Sequence, residues 1–152
     1  MITVRRSIVP DVFPIAKDMR DADRDEVAAA VGMPPDQALL QGYVSSTECY
    51  TIYEIDGGMP VGMFGFTEVD PKLSACVWML GSNRLLNNQW TFLRRSKEWV
   101  NRIQSRYPLL FNVIDRRNSL HIRWVEWLGF KFIRVIPQYG KQKLEFVEFV
   151  RV

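Results

Sequence analysis

The stretch from Cys49 to Leu80 constrains this chain most. CYTIYEI (Cys49 to Ile55), MPVGMFGFTEV (Met59 to Val69) and LSACVWML (Leu73 to Leu80) are rich in β-branched and aromatic residues. Only Asp56-Gly57-Gly58 and Asp70-Pro71-Lys72 separate them, two signals for tight turns. Three successive antiparallel strands are therefore expected. Gly62 and Gly65 mark close approach or a bulge in the middle one.

The periodicity changes on either side. Upstream, Thr3 to Val9 reads as an opening strand. Asp11 then reads as the cap of a helix with Pro14 in its first turn and Val12, Ile15, Ala16 and Met19 at helical spacing. The acid-rich segment Asp21 to Glu26 reads as a break, and Val27 to Val31 as a second helix ended by Gly32 and Pro34-Pro35. PDQALLQGYV is a short further piece with Asp36 as its cap. Downstream, Asn88 to Ser105 predicts a helix with Trp90, Leu93, Trp99, Val100 and Ile103 as its buried stripe. Leu109 to Ile114 reads as a buried strand. Asn118 to Leu128 predicts a helix burying Leu120, Trp124, Trp127 and Leu128 and closed by Gly129. Phe130 to Ile136 and Lys143 to Val152 are expected to pair as a hairpin.

The order is thus β-α-α-β-β-β-α-β-α-β-β. It implies an α/β domain over residues 1–152, with a mixed, mostly antiparallel sheet flanked by helices. No apolar run approaches the ~20 residues of a spanning helix, and charges at Arg5, Arg6 and Lys17 leave no apolar signal core at the start. The two cysteines, Cys49 and Cys76, lack metal-ligand spacing and read as reduced, packed thiols. A single histidine, His121, does not furnish a His-rich metal site, and no metal is expected. Charge is uneven. Met1 to Asn83 holds 6 Lys/Arg against 12 Asp/Glu, a balance of −6, whereas Arg84 to Val152 holds 14 against 5, a balance of +9. The basic half suits a phosphorylated ligand, a solvated helix face, or, as a weaker idea, a nucleic-acid backbone.

The segment IDRRNSLHIRWVEWLGFKFI, Ile114 to Ile133, resembles the GNAT N-acetyltransferase motif that follows the fifth strand. Asn118, Gly129 and Phe130 match at its spacing. From about Glu48 onward the chain is also similar to the internal virion protein A family of podophages. That resemblance is carried by Asn118-Ser119, His121-Ile122-Arg123 and Arg106-Tyr107-Pro108.

The first resemblance implies a GNAT-like fold and a site for acetyl-coenzyme A where the fourth and fifth strands part. It implies contacts from Met79, Leu80, Gly81, Ser82, Asn83, Arg84 and Asn118, with a backbone oxyanion donor at Met79 or Leu80. The loop Gly81 to Asn88 has a single glycine where such enzymes carry a glycine-rich cradle. Asn83, Asn87, Asn88 and Arg84 are partial substitutes, and the segment reads equally as an ordinary strand-to-helix loop capped by Asn87 or Asn88.

The family's proton-donating Tyr position is Val125 here. Tyr139 and Tyr107 are the alternatives, and Glu54, Glu68 and Asp115 are the carboxylates near strand ends. Cys76 reads as a packed thiol more than a nucleophile, and His121 as a packed or surface side chain. The implied activity is N-acetyl transfer to an amine with an incomplete catalytic set. The alternative is a non-catalytic virion or assembly protein built on the same scaffold. The implied partners are a phage virion or host protein, in host cytoplasm or virion, with neither nucleic acid nor membrane expected.

Overall fold

The computed structural model describes residues 1–152. Strand β1 (Ile2–Arg6) leads through a 3-10 turn (Val9–Asp11) into helices α1 (Val12–Lys17), α2 (Asp21–Val31) and α3 (Pro35–Ser45). The meander β2 (Glu48–Glu54), β3 (Pro60–Asp70) and β4 (Ser74–Gly81) follows. Beyond a second 3-10 turn (Asn83–Asn88) come α4 (Gln89–Gln104), β5 (Leu109–Asp115), α5 (Ser119–Trp127), β6 (Lys131–Tyr139) and β7 (Leu144–Arg151). The seven strands form one sheet in the order β1-β2-β3-β4-β5-β7-β6. Every pairing is antiparallel except β4 with β5. No helix is long and apolar enough to cross a membrane.

Helices cover both faces, because alternate strand residues point to opposite sides. On one face Ala75 and Phe66 meet Ile103 of α4 and Val125 and Leu128 of α5. On the other, Met63 and Leu80 meet Val12, Ile15, Ala16, Val27 and Leu39 of α1 to α3. Fully burying a side chain the size of Ile15 or Leu39 stabilises by roughly 1.5–3 kcal/mol.

Three helices precede β2: the short piece PDQALLQGYV is a full helix, α3, and the acid-rich segment read as a break is helical as well. Asp21 to Glu26 is the first half of α2. It forms because Asp21 and Asp23 sit in the first turn, where the helix dipole favours negative charge, and because Asp23 and Glu26 find partners inside the fold. Gly32 ends the helix in the left-handed conformation (φ 68°). Asp11 caps nothing. Its buried carboxylate accepts two hydrogen bonds from the Arg5 guanidinium (2.6 and 2.7 Å), one from Thr51 Oγ1 (2.7 Å) and one from the Ile8 N–H (3.0 Å). Burial pushes that carboxyl up, but these donors outweigh it and hold it below the usual range.

Two apolar stripes also differ from expectation. Trp90 is 73% exposed, and Leu120 and Trp127 are 41% and 46% exposed, while Val125 and Leu128 take the inner face of α5. Trp127 instead carries the Lys97 ammonium over its ring.

The β6–β7 hairpin folds back over α2. At its tip Gly140 has φ 71°, and a Cβ there would lie 2.5 Å from the Ala29 carbonyl oxygen. The N–H groups of Lys141 and Gln142 donate to the last carbonyls of α2, Ala30 (3.3 Å) and Ala29 (3.1 Å).

Candidate active site

Strands β4 and β5 pair over only three positions, Ser74 with Leu109, Ala75 with Leu110 and Cys76 with Phe111. Beyond these they part. At the fork Asn112 Nδ2 donates to the Val77 carbonyl (2.6 Å), and Asn112 Oδ1 accepts from the Val113 N–H (2.7 Å). A polar side chain thus takes over where the ladder stops.

The carbonyl of Leu73 accepts from the Leu109 N–H, and that of Val77 from Asn112, so odd-numbered residues of β4 present their backbone towards β5. Alternation along the strand directs the Met79 N–H into the gap and turns the Leu80 N–H to β3.

A cleft of about 340 Å³ passes through the gap, a volume within the range of small-molecule sites. Helical spacing sets its two mouths. From α4 come Phe92, Arg95, Ser96 and Trp99; from α5 come His121, Trp124 and Val125. From α2 come Glu26, Val27 and Ala30; from α3 come Ala38, Gln41, Gly42 and Ser45, with Trp78 and Tyr139 beside them. Trp78 forms a wall and leaves the cleft open. Its Nε1 donates to Ser46 Oγ (2.7 Å) and its ring rests on α3, where a Cβ on Gly42 would come within 2.7 Å of Cζ2.

Among the lining residues Glu26 is the one carboxylate and Arg95 the one permanent cation. Glu26 Oε1 accepts from the Asp115 N–H (3.0 Å) and Asn118 Nδ2 (3.4 Å). Oε2 makes no hydrogen bond and is not among the sealed, unpartnered atoms, so it opens on the cleft. Burial pushes Glu26 up to about 8, and the neighbouring Asp23 charge adds to the rise, against the Asp115 N–H.

Asp23 is buried and accepts from the Gly81 N–H (3.0 Å), Arg20 (3.1 Å) and Asn118 Nδ2 (3.1 Å). Asn118 Oδ1 and His121 Nδ1, one turn apart at the start of α5, are sealed from solvent without partners. Burial pushes the His121 imidazole down to about 4, so it is neutral at pH 7.

The expected cradle is differently employed. The N–H groups of Gly81, Ser82 and Asn83 donate to Asp23 Oδ2, the Val61 carbonyl (2.8 Å) and the Asp18 carbonyl (3.0 Å). Ser82 Oγ also goes to Val61 (2.9 Å), and Asn83 Nδ2 to Asp18 Oδ1 (3.1 Å). Arg84 and Glu54 pair with each other (Nε to Oε1, 2.8 Å) outside the cleft. Glu68 is also outside it, accepting from Tyr107 Oη (2.8 Å). These three side chains and the loop N–H groups are thus engaged with partners inside the protein and not with the cleft.

Met79, Leu80 and Tyr139 do line the cleft. Asp115 is held by Arg117 (2.7 Å). Cys76 is raised by burial to about 11, so its sulfur stays a thiol. Asn88 stands at the start of α4 without a side-chain capping bond, so the first N–H groups of that 16-residue helix lack the usual side-chain partner. Sequence reasoning missed Glu26, Asp23 and Asn112. The signals were a polar residue inside the apolar run LLFNVI and carboxylates three apart on one helix face.

No family model and no curated protein matches this chain. Solved structures do match in fold. A GNAT superfamily phosphinothricin acetyltransferase from Sinorhizobium meliloti, in complex with AcCoA, is 15% identical, with 99% of this chain and 87% of that one covered at TM-score 0.73. An N-acetyltransferase from Staphylococcus aureus Mu50 is 16% identical, covering 99% and 98% at TM-score 0.72. The spermidine N-acetyltransferase from Vibrio cholerae, in complex with CoA and spermine, is 12% identical, covering 99% and 94% at TM-score 0.70. The chain has the fold of the GNAT N-acetyltransferases.

Proposed function

We propose that this protein is an acetyl-coenzyme A-dependent N-acetyltransferase whose two substrates meet in the cleft between β4 and β5. The observation that carries the reading is the fork at Cys76 and Phe111, with the Met79 N–H directed into a passage open to both helix layers. The residues present fit such a donor. Met79 and Leu80 line the cleft where the thioester would lie, whereas Asn118 Oδ1 is sealed from solvent and makes no contact with it. Arg95, and beside it Arg94, which has no carboxylate partner, suit the diphosphate together with the uncapped start of α4. This moves the phosphate site away from Gly81 to Arg84, whose donors are taken.

Bound there, acetyl-coenzyme A supplies an activated acyl thioester. The Met79 N–H would hold the negative charge that develops on the carbonyl oxygen. Val125 supplies no proton, so the catalytic set is incomplete against the family pattern, and a thiol leaving group tolerates this. Calorimetric titration with acetyl-coenzyme A tests the proposal. Micromolar affinity supports it, and no heat at millimolar ligand overturns it.

A second reading is favoured by the engaged N–H groups of Gly81, Ser82 and Asn83 and by Val125. In it the fold is a non-catalytic scaffold, in a phage virion or in the host cytoplasm, as the podophage resemblance implies. Presence in purified particles without affinity for acetyl-coenzyme A would favour it.

A further inference from the structure

The α2–α3 mouth of the cleft carries a single carboxyl, Glu26, where the α4–α5 mouth carries a single cation, Arg95. We infer that Glu26 is the anchor and proton acceptor for the acceptor amine, and that this amine is a primary amine on an apolar body with no second charge. For the transfer step the inference rests on the N-acetyltransferase reading; for amine binding it stands on the geometry of this mouth alone.

Glu26 Oε1 is fixed by the Asp115 N–H and by Asn118, which leaves Oε2 for a ligand. Beyond it the wall is Val27, Ala30, Ala38, Gly42 and the Trp78 ring, and its polar members, Gln41, Ser45 and Tyr139, are uncharged at neutral pH. A monoamine places its ammonium at Glu26 and its carbon chain against this surface. A polyamine would have to leave a second ammonium against apolar side chains, which is costly without a partner.

In the transfer step the Glu26 carboxylate takes one proton from the ammonium. The N–C bond then forms as the thioester C–S bond breaks, and the second proton leaves with the sulfur as a thiol. Glu26 returns its proton to water.

Proton uptake at Glu26 is read against the groups around it. Asp23 on the same helix is paired with Arg20, and Asp115 of β5 with Arg117. His121 of α5 is neutral at pH 7, and Tyr139 of β6 is raised by burial. His121 and Tyr139 keep their charge near pH 7, so a proton released there on amine binding is assigned to Glu26 (raised to about 8).

The test is calorimetry of hexylamine, hexanol and spermidine into the full chain at pH 7, in buffers of different ionisation enthalpy and without thioester. The expected result is hexylamine binding at least tenfold tighter than spermidine, with release approaching one proton. Glu26→Gln, verified as folded by its thermal transition, is expected to weaken hexylamine at least tenfold, abolish the proton release and leave hexanol unchanged. Spermidine binding more tightly, or hexylamine binding equally to both proteins, overturns the inference.

A second arm measures thiol release from acetyl-coenzyme A with hexylamine. Amine binding without thioester binding would overturn the acetyltransferase reading and leave the amine site standing. Thioester binding without the Glu26 dependence would do the reverse.

Discussion

Asn112 Nδ2 bonds the Val77 carbonyl at 2.6 Å, one position past the last paired residues of β4 and β5. The side chain replaces a ladder bond and holds the strands at a fixed divergence. Asn112→Leu removes the donor and leaves a half-buried carbonyl unpaired, with an expected cost of about 1–3 kcal/mol. Urea denaturation should show a lower midpoint with an unchanged slope.

Glu26 and His121 give stability an asymmetric dependence on pH. Glu26 is raised from near 4.5 to about 8, so the folded state holds a proton the unfolded chain releases, and stability falls as pH rises through that window. His121 is depressed from 6.5 to about 4, so its contribution is present above 6.5 and is lost as pH falls towards 4. The two slopes oppose each other between 4.5 and 6.5. Above 6.5 Glu26 acts alone, and stability should drop by about 1–2 kcal/mol up to pH 8. Glu26→Gln should remove this drop in a series of chemical denaturations.

Gly42 lines the same cleft as Glu26 and leaves room there for the Trp78 ring. A methyl group there meets the Trp78 ring at 2.7 Å, and Trp78 is tied to Ser46, so the indole must move to make room. Gly42→Ala should destabilise by about 1–3 kcal/mol and narrow the cleft. Thermal denaturation reads the first effect, and a several-fold loss of hexylamine affinity reads the second.

The sheet was legible because its signals are local. DGG and DPK fix two hairpins, and β-branched runs fix the strands they join. The Gly129 stop and the hairpin after it also lie where the spacing puts them. The site was less legible because its parts are held by distant partners. Asp21 to Glu26 looked like a break, since Asp23 and Glu26 have no business on an inner helix face until Gly81, Asp115 and Asn118 are brought alongside. Arg84 looked free to meet phosphate until Glu54, thirty residues earlier in the chain, claimed it. Trp90 followed the helical period but fell at an end of α4 that nothing covers.

Asp23 joins α2 to the end of β4 by accepting the Gly81 N–H, and forms a buried ion pair with Arg20 at the start of its own helix. Asp23→Ala leaves the Gly81 N–H and the Arg20 guanidinium without their acceptor. The expected loss is about 3–5 kcal/mol, measured as the drop in unfolding free energy.

Arg95 is the cation of the α4–α5 mouth. Arg95→Glu should weaken acetyl-coenzyme A roughly tenfold at low salt and by less at high salt, as expected for an exposed charge. Calorimetry at two ionic strengths reads the difference, and hexylamine affinity should be unaffected.

The clasp of Gly140, Lys141 and Gln142 on the end of α2 has a bearing on how acceptor choice would be altered. The helix that carries Glu26 is anchored by a hairpin that comes much later in the chain, and Tyr139 stands beside Gly140 at the tip of that same hairpin. Lengthening or shortening the fingertip would tilt helix and tyrosine together. Tuning which amines are admitted therefore starts with the fingertip, at a distance from the carboxylate itself.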